Sequence, residues 1–330
     1  MLASTVVMIR PAGFGFDPET AETNAFQQTA EGDVSSLALA EFDTAVSVLR
    51  KYVNVIVVQE GPGDPLPDAI FPNNWFSTHE DGRLCLYPML TPLRRKEVRI
   101  GLLVLPLVSN DLKLVPFDFR PMALDKTDPA YLLKHGEWKQ GGALEGTGSL
   151  VLDRANRLAF ACESPRTSPS LASRWCEEFG YELVLFQMLD DNGLPIYHTN
   201  VILSVSPHFV VADERVLKIS HVADRLREKG RTVMSISPDQ TSRFGANVLG
   251  LLDLDDQPIL VMSTAAWDCN DSRQKEILKS SFAKLVVVNI PTIERVGGGG
   301  VRCMLAEIFL PHASPSLPLP PWNPGSERSN

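Results

Sequence analysis

A cysteine stands at the end of a glycine-rich run in the C-terminal part of the sequence. Cys303 follows four consecutive glycines, residues 297–300, and the pair Val301-Arg302. Consecutive glycines are costly in backbone entropy, so the run indicates either a flexible loop or a backbone that must approach another group closely. The apolar residues 304–310 predict a strand behind it. A thiol held where a loop enters an ordered element could act as a nucleophile on an electrophilic carbon.

The remaining cysteines are interpreted differently, because free cysteines are most often inert buried hydrophobes. They are Cys85, Cys162, Cys176 and Cys269. The five cysteines are widely spread, without a C-x-x-C pair that would suggest a zinc site or a redox couple. This usage favours a reducing, cytoplasmic setting.

A histidine and a glutamate stand in settings that suit acid–base chemistry beside such a thiol. His198 opens the apolar segment 199–203, and histidine titrates in the range needed to protonate a leaving nitrogen and then activate water. Glu145 is an isolated acid in the glycine-rich segment 141–149, where it could hold the N–H groups of a substrate. Each also has a simpler explanation, namely a core histidine bonded to backbone and a turn carboxylate that caps backbone N–H groups.

A fourth segment, residues 68–77, carries polar groups next to aromatic ones. Asp68, Asn73 and Asn74 could line a polar pocket, while Trp75 and Phe76 are interpreted as core. Single residues rarely identify a site, so none of these four segments decides a function alone. Together they favour an enzyme.

Composition excludes several other classes of function. The 330 residues are 44% hydrophobic and 22% charged, which is typical of a globular protein. The net charge of -9 opposes binding to nucleic acid, and the basic run Arg94-Arg95-Lys96 is too short to offset it. No apolar stretch approaches the roughly 20 residues of a membrane helix. We therefore expect a soluble protein that binds neither nucleic acid nor membrane.

The apolar pattern alternates strand-like runs with amphipathic helices. Helices are predicted over residues 36–50, over 168–180 with Ser168 as N-cap, and from near 220 and near 270. The last three start 52 and 50 residues apart, and each is followed by a predicted strand, over 181–186, 232–236 and 284–290. A repeat of this length indicates units that stack or close into a ring, although periodicity leaves an open α/β sheet as an alternative. We expect one domain over residues 1–312 and a disordered or polyproline tail over 313–330.

The combination resembles the guanidino-group-modifying superfamily, which includes arginine deiminases, dimethylarginine hydrolases and amidinotransferases. The resemblance rests on the glycine run before Cys303, on residues 71–75 and 144–148, and on residues 163–167. These segments look most like the citrulline hydrolase, or amidinotransferase-like, branch. The resemblance implies a five-fold pseudosymmetric α/β propeller, the pentein fold, built from ββαβ units around a central active site. It also implies that Cys303, His198 and Glu145 form the catalytic set.

Two departures from the family pattern narrow the substrate. Arginine deiminases carry an aspartate where this chain has Asn74, and another two residues after the histidine, where it has Asn200. An amide both donates and accepts hydrogen bonds, so it suits a neutral ureido group better than a guanidinium cation. Arg166 and Arg243 are candidates for binding the substrate carboxylate, and Arg302 is a candidate for lowering the thiol pKa.

The predicted reaction is therefore hydrolysis of citrulline to ornithine, carbon dioxide and ammonia through a covalent thiol intermediate, without a metal or organic cofactor. The predicted partner is a small ureido or guanidino amino acid, and a homodimer is left open. A hydrolase or deiminase of arginine or methylated arginine, an amidinotransferase, and a non-catalytic propeller that serves as a binding module remain alternatives. The retained Cys303, His198 and Glu145 argue against the binding module.

Overall fold

The computed structural model describes residues 1–60, 66–97, 113–116 and 142–309 of the chain. The predicted tail, residues 313–330, lies outside the described residues, so the predicted boundaries of the domain stay predictions. In the described ranges the strands are β1 (Thr5–Arg10), β2 (Asn54–Gln59), β3 (Phe76–Thr78), β4 (Arg83–Leu86), β5 (Lys113–Pro116), β6 (Leu150–Asp153), β7 (Leu158–Cys162), β8 (Glu182–Phe186), β9 (Leu203–Val205), β10 (Phe209–Asp213), β11 (Thr232–Ile236), β12 (Leu249–Leu252), β13 (Pro258–Ser263), β14 (Lys284–Val288) and β15 (Ala306–Glu307).

The helices in the same ranges are short, apart from the second. The α-helices are α1 (Pro18–Ala21), α2 (Val34–Leu49), α3 (Pro92–Arg95), α4 (Gly146–Ser149), α5 (Pro169–Phe179), α6 (Ser220–Arg227), α7 (Pro238–Ser242), α8 (Thr264–Asp268), α9 (Ser272–Ser281) and α10 (Pro291–Gly297). The 3₁₀ helices are η1 (Pro72–Asn74), η2 (Thr199–Val201), η3 (Val216–Lys218), η4 (Glu228–Gly230) and η5 (Val301–Met304). None of them combines the length and the apolar character that crossing a bilayer requires, as far as the described residues extend.

The strands form five separate sheets of three strands with one common plan. The middle strand of each sheet, β1, β4, β7, β10 or β13, pairs antiparallel with one neighbour and parallel with the other. A parallel neighbour needs a crossover connection, and α2, α5, α6 and the pair α8 and α9 supply it in four of the sheets. This is the predicted ββαβ unit. The arrangement of the five sheets around one axis stays a prediction.

The signals read from the sequence place the regular elements well. Helix α5 begins directly after Ser168 and ends before Gly180, which adopts a left-handed conformation with φ 69° as a helix C-cap. Helix α9 begins after the capping box of Asp271 and Gln274, one to two residues later than expected. The largest apolar cluster packs α2 and α10 against β1, β2, β13 and β14, and Cys303 belongs to it.

Two expected strands begin later than predicted. The apolar segment after His198 starts with η2, and only then continues as β9. Residues 301–304 form η5, in which the Cys303 N–H bonds the carbonyl of Gly300, and the strand behind them is limited to β15. In both places a tight turn, not a strand, carries the chemical side chain.

These turns recur at equivalent places in the five sheets. Two to three residues before the antiparallel edge strand lie Asn74 (β3), Gly148 (β6), Asn200 (β9), Asn247 (β12) and Cys303 (β15). Neighbouring edge strands contact each other, β3 with β15 and β6 with β9. The repeated unit therefore delivers one turn per sheet to a common place.

Candidate active site

The glycine run before Cys303 is a close-packed backbone rather than a flexible loop. Gly298 ends α10 with φ 63°, and a Cβ added there would lie 2.7 Å from the backbone nitrogen of Gln27. A Cβ on Gly297 would lie 2.7 Å from the ring of Phe71, and one on Gly300 2.7 Å from Oδ1 of Asn247. Real Cβ atoms do not approach other atoms so closely, so the run lets the backbone reach its neighbours. The second of the two explanations considered for the run is the correct one.

The thiol of Cys303 is buried between two amides. Nδ2 of Asn247 lies 3.4 Å and Nδ2 of Asn200 lies 3.6 Å from Sγ, and Cys303 is only 3% exposed. Burial raises the pKa of the thiol above its ordinary value, while the two amide donors and the charges of Arg302 and Arg94 oppose that rise. In the free protein the group is therefore a thiol near neutral pH, and its activation needs a base.

His198 is held by a buried carboxylate. Its Nε2 lies 2.8 Å from Oε2 of Glu145, and the same oxygen lies 3.2 Å from Nη1 of Arg166. The other oxygen, Oε1, accepts a hydrogen bond of 3.0 Å from the backbone N–H of Leu90. Because Glu145 is fully buried and ionised, it fixes the proton of His198 on Nε2 and leaves Nδ1 as a proton acceptor.

The pKa values of this pair agree with that assignment. Burial lowers the pKa of His198 to about 4, although the hydrogen bond to Glu145 opposes the shift. Burial acts to raise the pKa of Glu145, but the charge of Arg166 and the hydrogen bond from His198 outweigh it and hold the pKa well below its usual range. Near pH 7 the pair is thus a carboxylate and a neutral imidazole.

A buried arginine connects the polar residues of the segment after Asp68. Arg94 binds both carboxylate oxygens of Glu97, at 2.9 and 3.0 Å, and its Nη1 donates to Oδ1 of Asn74 at 2.9 Å. Its Nε lies 3.8 Å from Oδ2 of Asp68, which also accepts from Gln27. Burial raises the pKa of Asp68 to about 6 and that of Glu97 to about 8, against the opposing charge of Arg94.

Most of the predicted site residues meet around one small cavity of about 10 Å³, which is room for one water molecule. The predicted residues that line it are Asp68, Asn74, Arg166, His198 and Cys303. Glu145 and Asn200 lie behind that lining and act on it through His198 and Cys303. Asn73 is buried next to them, and its carbonyl accepts a bond from Thr147, but it does not line the cavity.

Two predicted substrate-binding residues lie elsewhere. Arg302 turns away from the cavity, because its guanidinium donates to the carbonyl of Leu305 and to Oε2 of Glu307. It reaches Cys303 only through its charge. Arg243 lines a different cleft, described below. The structure therefore brings neither guanidinium into the cavity beside the thiol.

Arg94 and Asn247 were missed. Arg94 was considered only as part of a short basic run, and nothing in the sequence marks it as buried. Asn247 could have been found, because Asn74, Asn200 and Asn247 each precede an apolar pair or run, as Asn-Trp-Phe, Asn-Val-Ile and Asn-Val-Leu. The repeat unit seen in the helix spacing thus extends to its polar turn.

A family model described as N,N dimethylarginine dimethylhydrolase, eukaryotic, matches residues 10–310, which is most of the chain. The chain belongs to the N,N dimethylarginine dimethylhydrolase family. Membership confirms the predicted guanidino-group-modifying superfamily and the class of hydrolases that act on guanidino compounds. No curated relative matches this family member by sequence.

Solved structures share the fold of this family member at low sequence identity. ArgZ, an arginine dihydrolase from the ornithine-ammonia cycle in cyanobacteria, is 14% identical over 93% of this chain, with a TM-score of 0.68. This chain spans 41% of full-length ArgZ but 98% of its separate N-terminal domain, where the TM-score is 0.65. The dimethylarginine dimethylaminohydrolase DDAH of Pseudomonas aeruginosa, solved in complex with citrulline, is 13% identical over 93% of this chain and all of its own, with a TM-score of 0.64. These likenesses show an α/β fold of several sheets.

Proposed function

We propose that the chain hydrolyses the ureido group of a citrulline-like amino acid to an amine, carbon dioxide and ammonia. The observation that carries the proposal is a pair of half-used amides. Asn74 accepts from Arg94 through Oδ1, and its Nδ2 has no hydrogen-bond partner within the described residues. Asn200 donates toward Cys303, and its Oδ1 is likewise without one there. One free donor and one free acceptor match the carbonyl and the NH₂ of a ureido group.

The charges around the cavity also favour a neutral substrate. Glu145 is engaged by His198 and Arg166, Glu97 by Arg94, and Asp68 lies near the same Arg94. A guanidinium cation would meet two buried arginines and no carboxylate without a cationic neighbour. Burying a further charge without a free counter-ion is costly, so a neutral ureido carbon suits this site better.

In the proposed reaction Cys303 transfers its proton to Nδ1 of His198, and the thiolate attacks the ureido carbon. Donors such as Nδ2 of Asn74 stabilise the oxyanion of the tetrahedral intermediate. The protonated His198 gives its proton to the departing nitrogen, and ammonia leaves a thiocarbamate on the sulfur. Water, deprotonated by His198, releases the thiol and a carbamate, which decomposes to the amine and carbon dioxide. Because the cavity is small, the substrate must displace lining side chains on entry.

The same proposal covers the setting of the site. We propose that the five sheets surround it as a five-fold propeller, within one catalytic domain over residues 1–312, and that the protein acts in the cytoplasm. The common plan of the five sheets and the recurring turns support the propeller. The proposed substrate is a small amino acid.

A guanidine hydrolase that acts on arginine or methylated arginine is the second candidate. The name of the family favours it, and so do Asp68 and Glu145, the two carboxylates nearest to the cavity. In that case ionised Asp68 would have to turn from Gln27 toward the substrate.

The test is a substrate panel with purified protein. Citrulline, arginine and dimethylarginine are incubated separately, and ammonia, ornithine and citrulline are quantified. We expect ornithine and ammonia from citrulline, and none of this turnover from Cys303→Ala at an unchanged circular dichroism spectrum. Cys85→Ala serves as the matched control, because Cys85 is also a buried cysteine but does not line the cavity. Ornithine from arginine with none from citrulline would refute the proposed substrate, and turnover by Cys303→Ala would refute the nucleophile.

A further inference from the structure

A second and larger cleft lies next to the cavity of Cys303. Its volume is about 550 Å³, within the range of pockets that hold small molecules. It is lined by residues of the loop after α1, of the loop after β8, of α7 and of α10. No residue lines both spaces.

The cleft and the cavity share a wall. Three chain segments send neighbouring residues to opposite sides of it. Ile196 lines the cleft and Tyr197 the cavity, and in α10 Glu294 lines the cleft and Gly297 the cavity. The ring of Phe26, on the cleft side, contacts the ring of Tyr197 at a centroid distance of 5.8 Å. The two spaces are therefore adjacent but separated by packed side chains.

Glu294 is a buried carboxylate with an unsatisfied oxygen that borders the cleft. It is 6% exposed, and its Oε1 has no hydrogen-bond partner among the residues that the structure describes. Burial raises its pKa to about 7, with a further rise from the charge of Glu41 and an opposing effect of Ser263. A buried acceptor without a donor is costly to the fold, and a ligand that brings a cationic N–H group would satisfy it.

Two arginines of the same cleft carry charge that no carboxylate neutralises within the described residues. Arg243, which ends α7, and Arg295 in α10 are exposed and make no salt bridge there. The third arginine of the cleft, Arg215, differs from them because it pairs with Asp213 and Asp191. The cleft thus offers one unsatisfied acid and two uncommitted bases.

We propose that this cleft binds a free α-amino acid as a zwitterion, at a site separate from the catalytic cavity. Arg243 and Arg295 hold the carboxylate, and Glu294 accepts the ammonium group. The rings of Phe26 and Phe244 pack together at 5.3 Å and supply an apolar surface for the side chain of the ligand. Arg243 is then a carboxylate-binding residue, as the sequence predicted, but for this second ligand.

The test compares ligands that carry both charges or one. Isothermal titration of the full chain uses L-norleucine, which has no ureido or guanidino group, and its single-charge counterparts hexanoate and pentylamine. We expect L-norleucine to bind at one site per chain and each counterpart to bind at least about tenfold more weakly. Glu294→Gln, and the double variant Arg243→Ala with Arg295→Ala, should each weaken L-norleucine by about tenfold or more. Glu276→Gln is the matched control, because Glu276 is an exposed acid outside the cleft.

Competition separates this site from the catalytic one. In Cys303→Ala protein, we expect citrulline at the catalytic cavity to leave L-norleucine binding in place. Displacement of L-norleucine by one equivalent of citrulline would mean that one ligand spans both spaces, and it would overturn the proposal. So would absence of L-norleucine binding, or equal binding of pentylamine. A chain that turns over arginine instead of citrulline would leave this test unaffected.

Discussion

Changing Asn74 to aspartate should move the preference of the site from a ureido group toward a guanidinium. Oδ1 of Asn74 accepts from Arg94, and a carboxylate at this place keeps that bond. Nδ2, the donor without a partner in the described residues, is replaced by a second charged oxygen. Asn74→Asp therefore removes a donor to the ureido oxygen and adds a counter-charge for a cation, in one substitution of nearly equal volume.

The magnitude follows from the two bonds that change. Losing one hydrogen bond to the ureido oxygen costs about 1–2 kcal/mol, and gaining one charge-assisted bond to a guanidinium contributes about 1.5–3 kcal/mol. With about 1.4 kcal/mol for each factor of ten, the ratio of kcat/KM for citrulline over arginine should fall by roughly two to three orders of magnitude. Initial rates of ammonia release from each substrate measure this ratio.

Two controls make the result specific. Asn74→Ala removes the donor without adding charge, so citrulline turnover should fall while arginine turnover does not rise. Asn270→Asp puts a carboxylate at another buried asparagine that does not line the cavity, and it should leave the ratio unchanged. An Asn74→Asp protein that folds, and whose ratio stays within about twofold of the parent, would refute the charge argument.

Three further predictions concern pH, backbone packing and the thiol. The pKa of His198 falls from the ordinary 6.5 to about 4 on folding, so the unfolded chain binds its proton first, and the free energy of unfolding should fall between these pH values. His198→Gln should remove roughly 3 kcal/mol of that fall in urea titrations at pH 4 and 7, and an unchanged difference between them would contradict the assignment. Gly300→Ala should displace Asn247 and lower kcat about a hundredfold, whereas Gly15→Ala, whose Cβ meets nothing within 4 Å, should not, and equal rates would refute the packing argument. Asn247→Asp puts a charge beside Cys303 and should slow its alkylation by iodoacetamide at pH 8 about tenfold; an equal rate would show that the amide does not act on the thiol.

The regular elements could be predicted from the sequence because their signals are local. Ser168, Pro169 and Gly180 mark the two ends of α5 within a few residues of the helix itself. Spacing of the helix starts then indicated a repeated unit. Which unit pairs with which, and the closure of β15 onto β1, depend on contacts between residues far apart in sequence, and no local pattern encodes these.

The site was predictable where a residue type is rare in its setting, and not where the role comes from burial. A thiol after four glycines is such a rare setting, and the structure gives each glycine a close neighbour. Arg94 is an ordinary surface residue by sequence, yet it is 2% exposed and bonds Asn74 and Glu97. Arg302 adjoins Cys303 in sequence but turns to Glu307, because successive residues of a tight turn point in different directions.

The pairing of β15 with β1 has a consequence for how the protein is made. Val6 pairs with Glu307 and Val7 with Ala306, so about 300 residues separate the partners, and η5 with Cys303 directly precedes β15. A ribosome synthesises β1 early and η5 nearly 300 residues later. Until then, His198 and Glu145 have no thiol beside them, and a nascent chain carries no assembled nucleophile. Closure of the first sheet is therefore also the moment at which the chain acquires its reactivity.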